Sequence, residues 1–535
     1  MAMKYLAFVI LLFFESGITI TQTNVNISNW PLFDGEQYLA VNPANPNNLI
    51  CAWMQLKINL KIGMAVRSSA DGGTTWTNTY IVPNIIPQFT MADPTIAFSR
   101  TGIAYLCYIE YGGEGADTGV VAVIKSTNNG VNWTNPVIIR GAKETSDLAI
   151  DRPWITIDNS TGPRDGYLYV TSMPPAWATF PQALHLKYSS NGGTSWSNDI
   201  QVSTTSYPGF HGSMGIMDVS QDGALNIVYT SLQGLNPAFA FARTTNLGQT
   251  FTRNYPSPFY PLNDTIYQAS YTLTSAQLNP QNLNLVFIGK INNDPDVYRV
   301  RSNNSGINWS SPLRINNDPI NNGIGQDMSW SFQTNGMLGA AWRDRRNGVP
   351  GSLSPFDVYF AISTDGGITF GNNIKVTNQT SPFNNNGVKG NDFLGFVLAG
   401  NKAHLTWADF RNGGINWEIY YNNTVITGIK KISTEVPVKF SLYQNYPNPF
   451  NPVTKIKFSL PNPSEGGAQV VKLIVYDILG NQVASLIPPL WGGQEGLNPG
   501  TYEVDFDGGN YTTGLYIYRL ETESFIESKK MILIK

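Results

Sequence analysis

Short apolar segments alternate with turn residues along most of the chain, and the arrangement repeats. Each repeat starts with a strand-like segment led by a polar residue, followed by a second apolar segment and a turn octet. In the first repeat these are EQYLAV, LICAWMQ and SADGGTTW. No long stretch has apolar residues at helical spacing, so the pattern predicts an all-β protein built from many short strands.

The turn octet occurs six times, with starts 55 to 63 residues apart. A repeat of this length with strand-like contents is typical of stacked sheets arranged as a propeller. The octets are SADGGTTW (69–76), STNNGVNW (126–133), SSNGGTSW (189–196), TTNLGQTF (244–251), SNNSGINW (302–309) and STDGGITF (363–370).

The residue types of the octet predict a tight structural turn. An Asp or Asn at the third position is expected to accept hydrogen bonds from backbone N–H groups two residues on. Glycine at the fifth position allows a positive φ, and the hydroxyl at the first position can bond to its own turn. The aromatic residue at the eighth position buries a large apolar surface. The third-position residues are Asp71, Asn128, Asn191, Asn246, Asn304 and Asp365.

This pattern, S-x-D-x-G-x-T-W, resembles the Asp box of the sialidase and BNR-repeat propellers. The resemblance implies that each octet joins the third and fourth strands of a blade, on the face opposite the active site. A seventh unit follows without an octet, so we expect seven blades, with six, the number in sialidases, as the alternative. The segment NVNISNW (24–30) is expected to complete the last blade and close the ring, which removes exposed sheet edges.

The pattern changes after Val436, where alternating apolar segments predict a small Ig-like β-sandwich. The stretches NYPNPFNP, YDILGN, GLYIYRL and KKMILIK closely resemble the type A C-terminal sorting domain of type IX secretion substrates. That resemblance implies export across the outer membrane, followed by removal of the tail and either attachment to surface lipopolysaccharide or release. The alternative is an Ig-like adhesive module. We place the propeller at 23–428 and the linker with the sorting domain at 429–535.

The N-terminus predicts a secretory signal peptide over 1–22. Lys4 precedes an apolar run from Tyr5 to Phe14 that is too short to span a bilayer, and we place cleavage near Thr21. The chain is therefore expected to be secreted or delivered to the cell surface, with no transmembrane segment in its mature form.

Composition narrows the function further. The formal net charge is -3 without blocks of like charge, so the basic footprint of a nucleic-acid-binding protein is absent. Cys51 and Cys107 lie in apolar segments and are expected to be small buried residues rather than a disulfide. No Cys or His spacing predicts a metal site and no motif predicts a cofactor. The loop NNDPDVY (292–298) offers oxygen ligands for calcium, or is simply a turn.

Candidate chemistry lies just before each first strand and just after each second strand, because these positions form the face opposite the octets. The strand leaders include Glu36 and Asp151. The acid/base candidates are Asp93, Asp327 and Asp392. The substrate-binding candidates are Arg152, Arg345, Arg346, Arg411, Asp344, Asp409 and Trp177. Trp177 is expected either to stack on a sugar or to pack in its loop against the neighbouring prolines. Converging arginines suit an acidic sugar. The alternative is that Asp and Arg side chains bond each other and hold the loops.

Sialidases use three arginines, an Asp acid/base and a Tyr–Glu nucleophile pair. This chain has no R-I-P motif ahead of the first blade, and no Tyr–Glu pair can be assigned. Because a fold does not determine a function, two predictions stay open. One is a sialidase-like glycoside hydrolase acting on extracellular glycans with anionic sugars. The other is a glycan-binding propeller or protein-interaction scaffold without catalysis. The expected partners are extracellular glycans and the type IX secretion machinery.

Overall fold

The computed structural model shows a seven-bladed β-propeller and a β-sandwich. The residues it describes are 24–112, 118–144, 148–175, 183–209, 214–234, 236–256, 270–277, 279–334, 336–350, 355–363, 365–382, 393–399, 402–413, 416–426, 429–433, 435–462, 471–487, 497, 499–508 and 511–535. The predicted signal peptide, Asp392 and Trp177 lie outside these residues.

Seven of the four-stranded sheets in the described part of the chain are blades, and every pairing in them is antiparallel. Their strands are β1 (Val25–Asn26); β2 (Asp34–Asn42), β3 (Asn45–Leu56), β4 (Ile62–Ser69) and β5 (Tyr80–Ile81) in blade 1; β6 (Thr90–Phe98), β7 (Ala104–Gly112), β8 (Thr118–Ser126) and β9 (Val137–Gly141) in blade 2; β10 (Asp151–Ile157), β11 (Leu168–Met173), β12 (His185–Ser189) and β13 (Ile200–Gln201) in blade 3; β14 (Ile216–Val219), β15 (Leu225–Gln233), β16 (Asn236–Thr244) and β17 (Thr252–Asn254) in blade 4; β18 (Tyr271–Ser275), β19 (Leu283–Gly289), β20 (Asp296–Ser302) and β21 (Leu313–Arg314) in blade 5; β22 (Gln326–Thr334), β23 (Met337–Asp344), β24 (Asp357–Ser363) and β25 (Ile374–Lys375) in blade 6; and β26 (Gly395–Ala399), β27 (Lys402–Asp409) and β28 (Glu418–Val425) in blade 7.

The ring closes through the N-terminal strand. The innermost strands β2, β6, β10, β14, β18, β22 and β26 contact one another in that order, and β26 contacts β2. Strand β1 is the outer strand of blade 7, where Val25 pairs with Tyr421 on β28. The prediction that NVNISNW completes the last blade is confirmed, and the blade number is seven rather than six.

The core lies between the faces of neighbouring blades. Large side chains from the second strands fill it, including Trp53, Trp342 and Trp407, which are fully buried. Cys51 and Cys107 are both free thiols with no solvent exposure, which confirms that they are buried and not bridged.

The turn octets are held by a repeated set of hydrogen bonds. Ser69 Oγ donates to Asp71 Oδ1 and accepts from Gly73 N, both at 2.8 Å. Asp71 Oδ1 also accepts from Thr75 N at 2.9 Å. The side chain at the third position thus bonds the N–H four residues on, not two as expected, because the serine hydroxyl takes the nearer one. The same bonds recur at Asn128, Asn191, Asn246, Asn304 and Asp365.

Each octet also packs against the preceding blade. Gly73 has φ +84°, and a Cβ there would lie 1.8 Å from Tyr421 Oη of blade 7. At Gly306 of blade 5 a Cβ would lie 2.2 Å from Phe241 of blade 4. The fifth-position glycine is therefore required both by the turn and by the neighbouring blade.

The C-terminal part forms two further four-stranded sheets, as the sandwich prediction expects. One has the order β29-β34-β31-β30 and the other β33-β32-β35-β36. They bury Phe458, Tyr518 and Leu533 in a common core. The strands are β29 (Ile429–Ser433), β30 (Ser441–Leu442), β31 (Val453–Leu460), β32 (Lys472–Tyr476), β33 (Gln482–Ser485), β34 (Gly500–Asp507), β35 (Gly514–Glu521) and β36 (Ile526–Leu533). Within the described residues, no helix has the length and apolar character needed to cross a membrane.

Candidate functional site

Strand register places the candidate residues and the turn octets at opposite edges of each blade. In blade 6, Asp344 at the end of β23 pairs with Gln326 at the start of β22. Ser363, the first residue of an octet, pairs instead with Leu338 near the start of β23. The starts of first strands and the ends of second strands therefore share one edge, which we call the open face.

Four inner strands carry the same irregularity close to the open face. In β2, β6, β10 and β22 the register shifts so that two residues of the inner strand oppose one residue of its partner. The first residue of each bulge has a left-handed backbone. These residues are Glu36 (φ 51°), Asp93 (φ 55°), Arg152 (φ 48°) and Met328 (φ 55°). Side chains other than glycine rarely adopt this conformation, and strain of this kind is concentrated at functional sites.

The bulges of blades 2 and 3 bring two carboxyl groups together. Asp93 is buried and accepts a hydrogen bond from Arg152 N at 3.2 Å. The Asp93 carboxyl lies beside the Asp151 carboxyl and acts on it directly. Burial and the charge of Asp93 raise the pKa of Asp151 to about 7, although the Arg152 guanidinium acts in the opposite direction. Two carboxylates this close cannot both ionise readily, so Asp151 keeps its proton up to about neutral pH.

Glu36 and Tyr111 complete the group that we call the carboxylate cluster, together with Asp93, Asp151 and Arg152. Tyr111 pairs with Thr90 at the open end of blade 2. Burial and the charges of Asp93, Glu36 and Asp151 raise the pKa of Tyr111 to about 12. The phenol therefore keeps its proton at neutral pH and serves as a hydrogen-bond donor.

Aromatic rings close the central channel just beyond the bulges. Tyr38, Trp154 and Trp330 each follow the bulge of their strand, in blades 1, 3 and 6. Their ring centroids are 5.7 Å apart in all three pairs, so side chains from non-adjacent blades meet across the axis. The rings line one end of a cavity of about 590 Å³ that extends away from the bulges between the inner strands. They form an aromatic base beneath the carboxylate cluster.

Asp327 is placed differently from Asp93. Its carboxylate binds Arg343 Nε and Nη2 at 2.7 and 2.9 Å, and Arg345 Nη2 lies 3.0 Å away. Burial alone raises the pKa of Asp327, but the two guanidiniums outweigh it and the pKa is lowered. The side chain therefore remains an ionised member of a buried ion group, which does not suit an acid that must supply a proton. Arg345 lies within the same ion group.

The repeated sequences WRDRRN and WADFRN form the same structural unit. Asp344 Oδ2 accepts from Trp342 Nε1 at 2.8 Å and from Arg346 Nη2 at 2.7 Å. The guanidinium of Arg346 lies 4.3 Å from the ring centroid of Tyr359 on the next strand. This geometry matches the alternative that these Asp and Arg side chains bond each other. Equivalent contacts occur among Trp407, Asp409, Arg411 and Tyr420.

The acidic loop 292–298 uses its carboxylates to hold neighbouring segments. Asp294 accepts the backbone N–H groups of Asn322 and Gly323. Asp296 accepts from Asn316 Nδ2 and binds Arg314, both at 2.7 Å. Across the described part of the chain, no three Asp, Glu, His or Cys side chains are grouped as metal ligands would be.

The C-terminal part of the chain matches a known family. Residues 444–535 match the family model of the secretion system C-terminal sorting domain. The tail is therefore a sorting domain of the type IX route, which leads to the cell surface or to secretion. A search of curated proteins found no match to the sequence.

Solved structures similar to this chain include propellers at low sequence identity. A Dyadobacter fermentans protein of unknown function is 14% identical with a TM-score of 0.44, covering 64% of this chain and 97% of its own. The Trypanosoma rangeli sialidase is 11% identical with a TM-score of 0.41, covering 93% and 84%. The NanB sialidase of Streptococcus pneumoniae is 11% identical with a TM-score of 0.36, covering 76% and 70%.

Proposed function

We propose that this protein is a secreted glycoside hydrolase that acts on extracellular glycans through the carboxylate cluster. The observation that carries the proposal is the close Asp93–Asp151 pair at two strained bulges, which the bond from Arg152 N to Asp93 joins. A carboxyl group that keeps its proton near neutral pH is the general acid that glycosidic bond cleavage needs. The pair lies at the open face, above the aromatic base.

In the proposed reaction, Asp151 donates its proton to the glycosidic oxygen as the bond from that oxygen to the anomeric carbon breaks. Glu36 accepts a proton from a water molecule whose oxygen forms the new bond to the anomeric carbon. Asp93 positions the acid and keeps its pKa high. Tyr111 donates a hydrogen bond to the sugar, and Arg152 offsets part of the negative charge.

Hydrolysis by the full-length protein tests this proposal. We expect release of reducing sugar from at least one class of glycan or aryl glycoside. Asp151→Asn is expected to lower kcat by 100-fold or more, since general acid catalysis typically contributes that much. Asp222→Asn is the matched control, because Asp222 is a partly exposed partner of Arg243 on blade 4. Glycan binding without hydrolysis would replace the enzyme by a glycan-binding propeller, and the absence of both would favour a protein-interaction scaffold.

We also propose that a signal peptide over 1–22 carries the chain across the first membrane, and that the tail then directs it across the outer membrane. The propeller over 23–428 is the part that acts outside the cell, and 429–535 is removed on export. Mass spectrometry of the protein recovered outside the cell tests these boundaries. A product that still carries the apolar run from Tyr5 to Phe14, or that retains the C-terminal KKMILIK, would contradict them.

A further inference from the structure

The charges assembled on the open face point to the class of sugar that the proposed site takes. Three carboxyl groups, Glu36, Asp93 and Asp151, lie near enough to Tyr111 to raise its pKa, and the Arg152 guanidinium acts on the same group. With the proton held by Asp151, two negative charges and one positive charge remain in the carboxylate cluster, a sum of -1. A carboxylate or sulfate on a bound sugar would add a further negative charge to a cluster that is already negative.

The other arginines expected to bind an anion are committed to protein carboxylates. Arg345 contacts the buried Asp327, and Arg346 and Arg411 bind Asp344 and Asp409 at 2.7 Å. Turning Arg346 or Arg411 towards a ligand would leave a buried carboxylate without its counter-ion, which is strongly unfavourable. Turning Arg345 would remove one of the two guanidiniums that bind Asp327.

The lysines that the structure describes at the open face lie outside the carboxylate cluster, and Lys290 follows β19 in blade 5, three blades from Asp93. Lys57 Nζ donates to Asn84 Oδ1 at 3.1 Å, and Lys61 Nζ donates to Gln88 O at 2.9 Å. The propeller segments outside the described residues contain no arginine in their sequence, and Lys389 is their one lysine. An arginine clamp for an anionic sugar therefore has no source in those segments.

We infer that the carboxylate cluster binds uncharged sugars and discriminates against sugars that carry a carboxylate or sulfate. This inference rests on the proposed function and departs from the anionic sugar that the sialidase resemblance implied. The carboxylates can accept hydrogen bonds from sugar hydroxyl groups. That contact is available to a neutral sugar, whereas the acidic group of a uronic or sialic acid would meet Glu36 and the aspartate pair.

Matched sugars that differ in charge alone test the inference. The full-length protein is presented with arrayed hexosides, the corresponding uronides and sialosides, and in parallel with aryl glycosides of the same sugars. We expect binding or turnover of an uncharged sugar to exceed that of its uronide by at least tenfold. Raising the salt concentration should reduce this ratio, because screening weakens repulsion between charges. An Asp93→Asn/Asp151→Asn variant should also reduce it, with Asp222→Asn as the unaffected control.

The outcomes separate this inference from the proposed enzyme. Binding of uncharged sugars without hydrolysis would end the enzyme proposal and leave the inference standing. Hydrolysis of sialosides or uronides at least as fast as that of uncharged sugars would overturn the inference and leave a hydrolase, whereas binding of that strength without hydrolysis would overturn both. Binding of neither class would overturn both.

Discussion

His404 Nδ1 lies 2.7 Å from Tyr421 Oη, inside the blade that joins the two ends of the ring. Tyr421 Oη also donates to Gly72 O of blade 1 at 3.1 Å, so the pair connects the last blade to the first. Burial lowers the pKa of His404 to about 3, and the charge of Lys402 acts in the same direction. The His404 imidazole is therefore neutral in the folded protein at neutral pH.

This burial predicts that acid weakens the protein through His404. The folded-state pKa is below the unfolded value of 6.5, so the unfolded chain binds the proton more tightly. Stability is fully present above pH 6.5 and falls as the pH drops towards 3, by up to about 1.4 kcal/mol for each pH unit. Urea unfolding between pH 7.5 and 4 measures this. In the His404→Gln variant, the free energy of unfolding should depend less steeply on pH. If the two proteins differ in this free energy by the same amount at every pH, His404 is not the group responsible.

The buried Asp151 carboxyl at the candidate site should make stability depend on pH in the opposite direction. Its pKa is raised to about 7, mainly by burial, from a model-peptide value of 3.8. The stability that it contributes is therefore present below pH 3.8 and lost as the pH rises through 7. Replacing it by Asn should raise the free energy of unfolding at pH 8 by an amount on the order of 2 kcal/mol, and much less at pH 5. A variant that is inactive yet more stable at pH 8 fits a strained functional site, whereas loss of stability at both pH values would show a purely structural residue.

Two glycines with the same backbone angle separate turn strain from packing. Gly306 and Gly166 both have φ +83°, but a Cβ at Gly306 would lie 2.2 Å from Phe241, while nothing lies within 4 Å at Gly166. Gly166→Ala should cost about 1–2 kcal/mol for the left-handed backbone alone. Gly306→Ala should cost a further 1–3 kcal/mol or so, since the neighbouring blade must move. Equal losses in thermal unfolding would mean that the octet does not hold blade 5 against blade 4.

The Arg411 unit predicts a structural rather than a catalytic effect. Arg411 binds Asp409 at 2.7 Å and lies 4.1 Å from the Tyr420 ring centroid. Arg411→Gln leaves a buried carboxylate without its partner and should lower the free energy of unfolding by about 3 kcal/mol. The KM of any substrate found should change less than twofold in the folded fraction. A large rise in KM for anionic sugars alone would instead restore Arg411 as a substrate clamp.

The architecture could be predicted from the sequence because each blade repeats the same local chemistry. Asp71 and its counterparts occupy the same octet position, and the closing strand was expected because the seventh unit lacks its outer strand. The register of the blades then followed from the turns.

The candidate site was only partly predictable. Asp93 was a candidate, but its partner Asp151 comes from another blade, and neither spacing nor composition indicates that the two carboxyl groups meet. Tyr38, Trp154 and Trp330 read as ordinary apolar strand positions, since the bulges that direct them to the axis have no common residue. The partners of Asp327 could not be predicted either. Which arginine reaches which carboxylate depends on side-chain packing, and the sequence does not show it.

The octet turns have a consequence for how such a protein changes over time. Each turn packs against the blade before it, as Gly73 does against Tyr421 and Gly306 against Phe241. The contacts between octets and neighbouring blades therefore all run in the same direction around the propeller. A whole unit inserted or deleted between two octet-bearing blades would meet much the same neighbours on both sides. The number of blades is therefore limited by the pairing of β1 with β28, which joins the two ends of the propeller chain. Duplication of a unit elsewhere is tolerated only if these two strands can still pair.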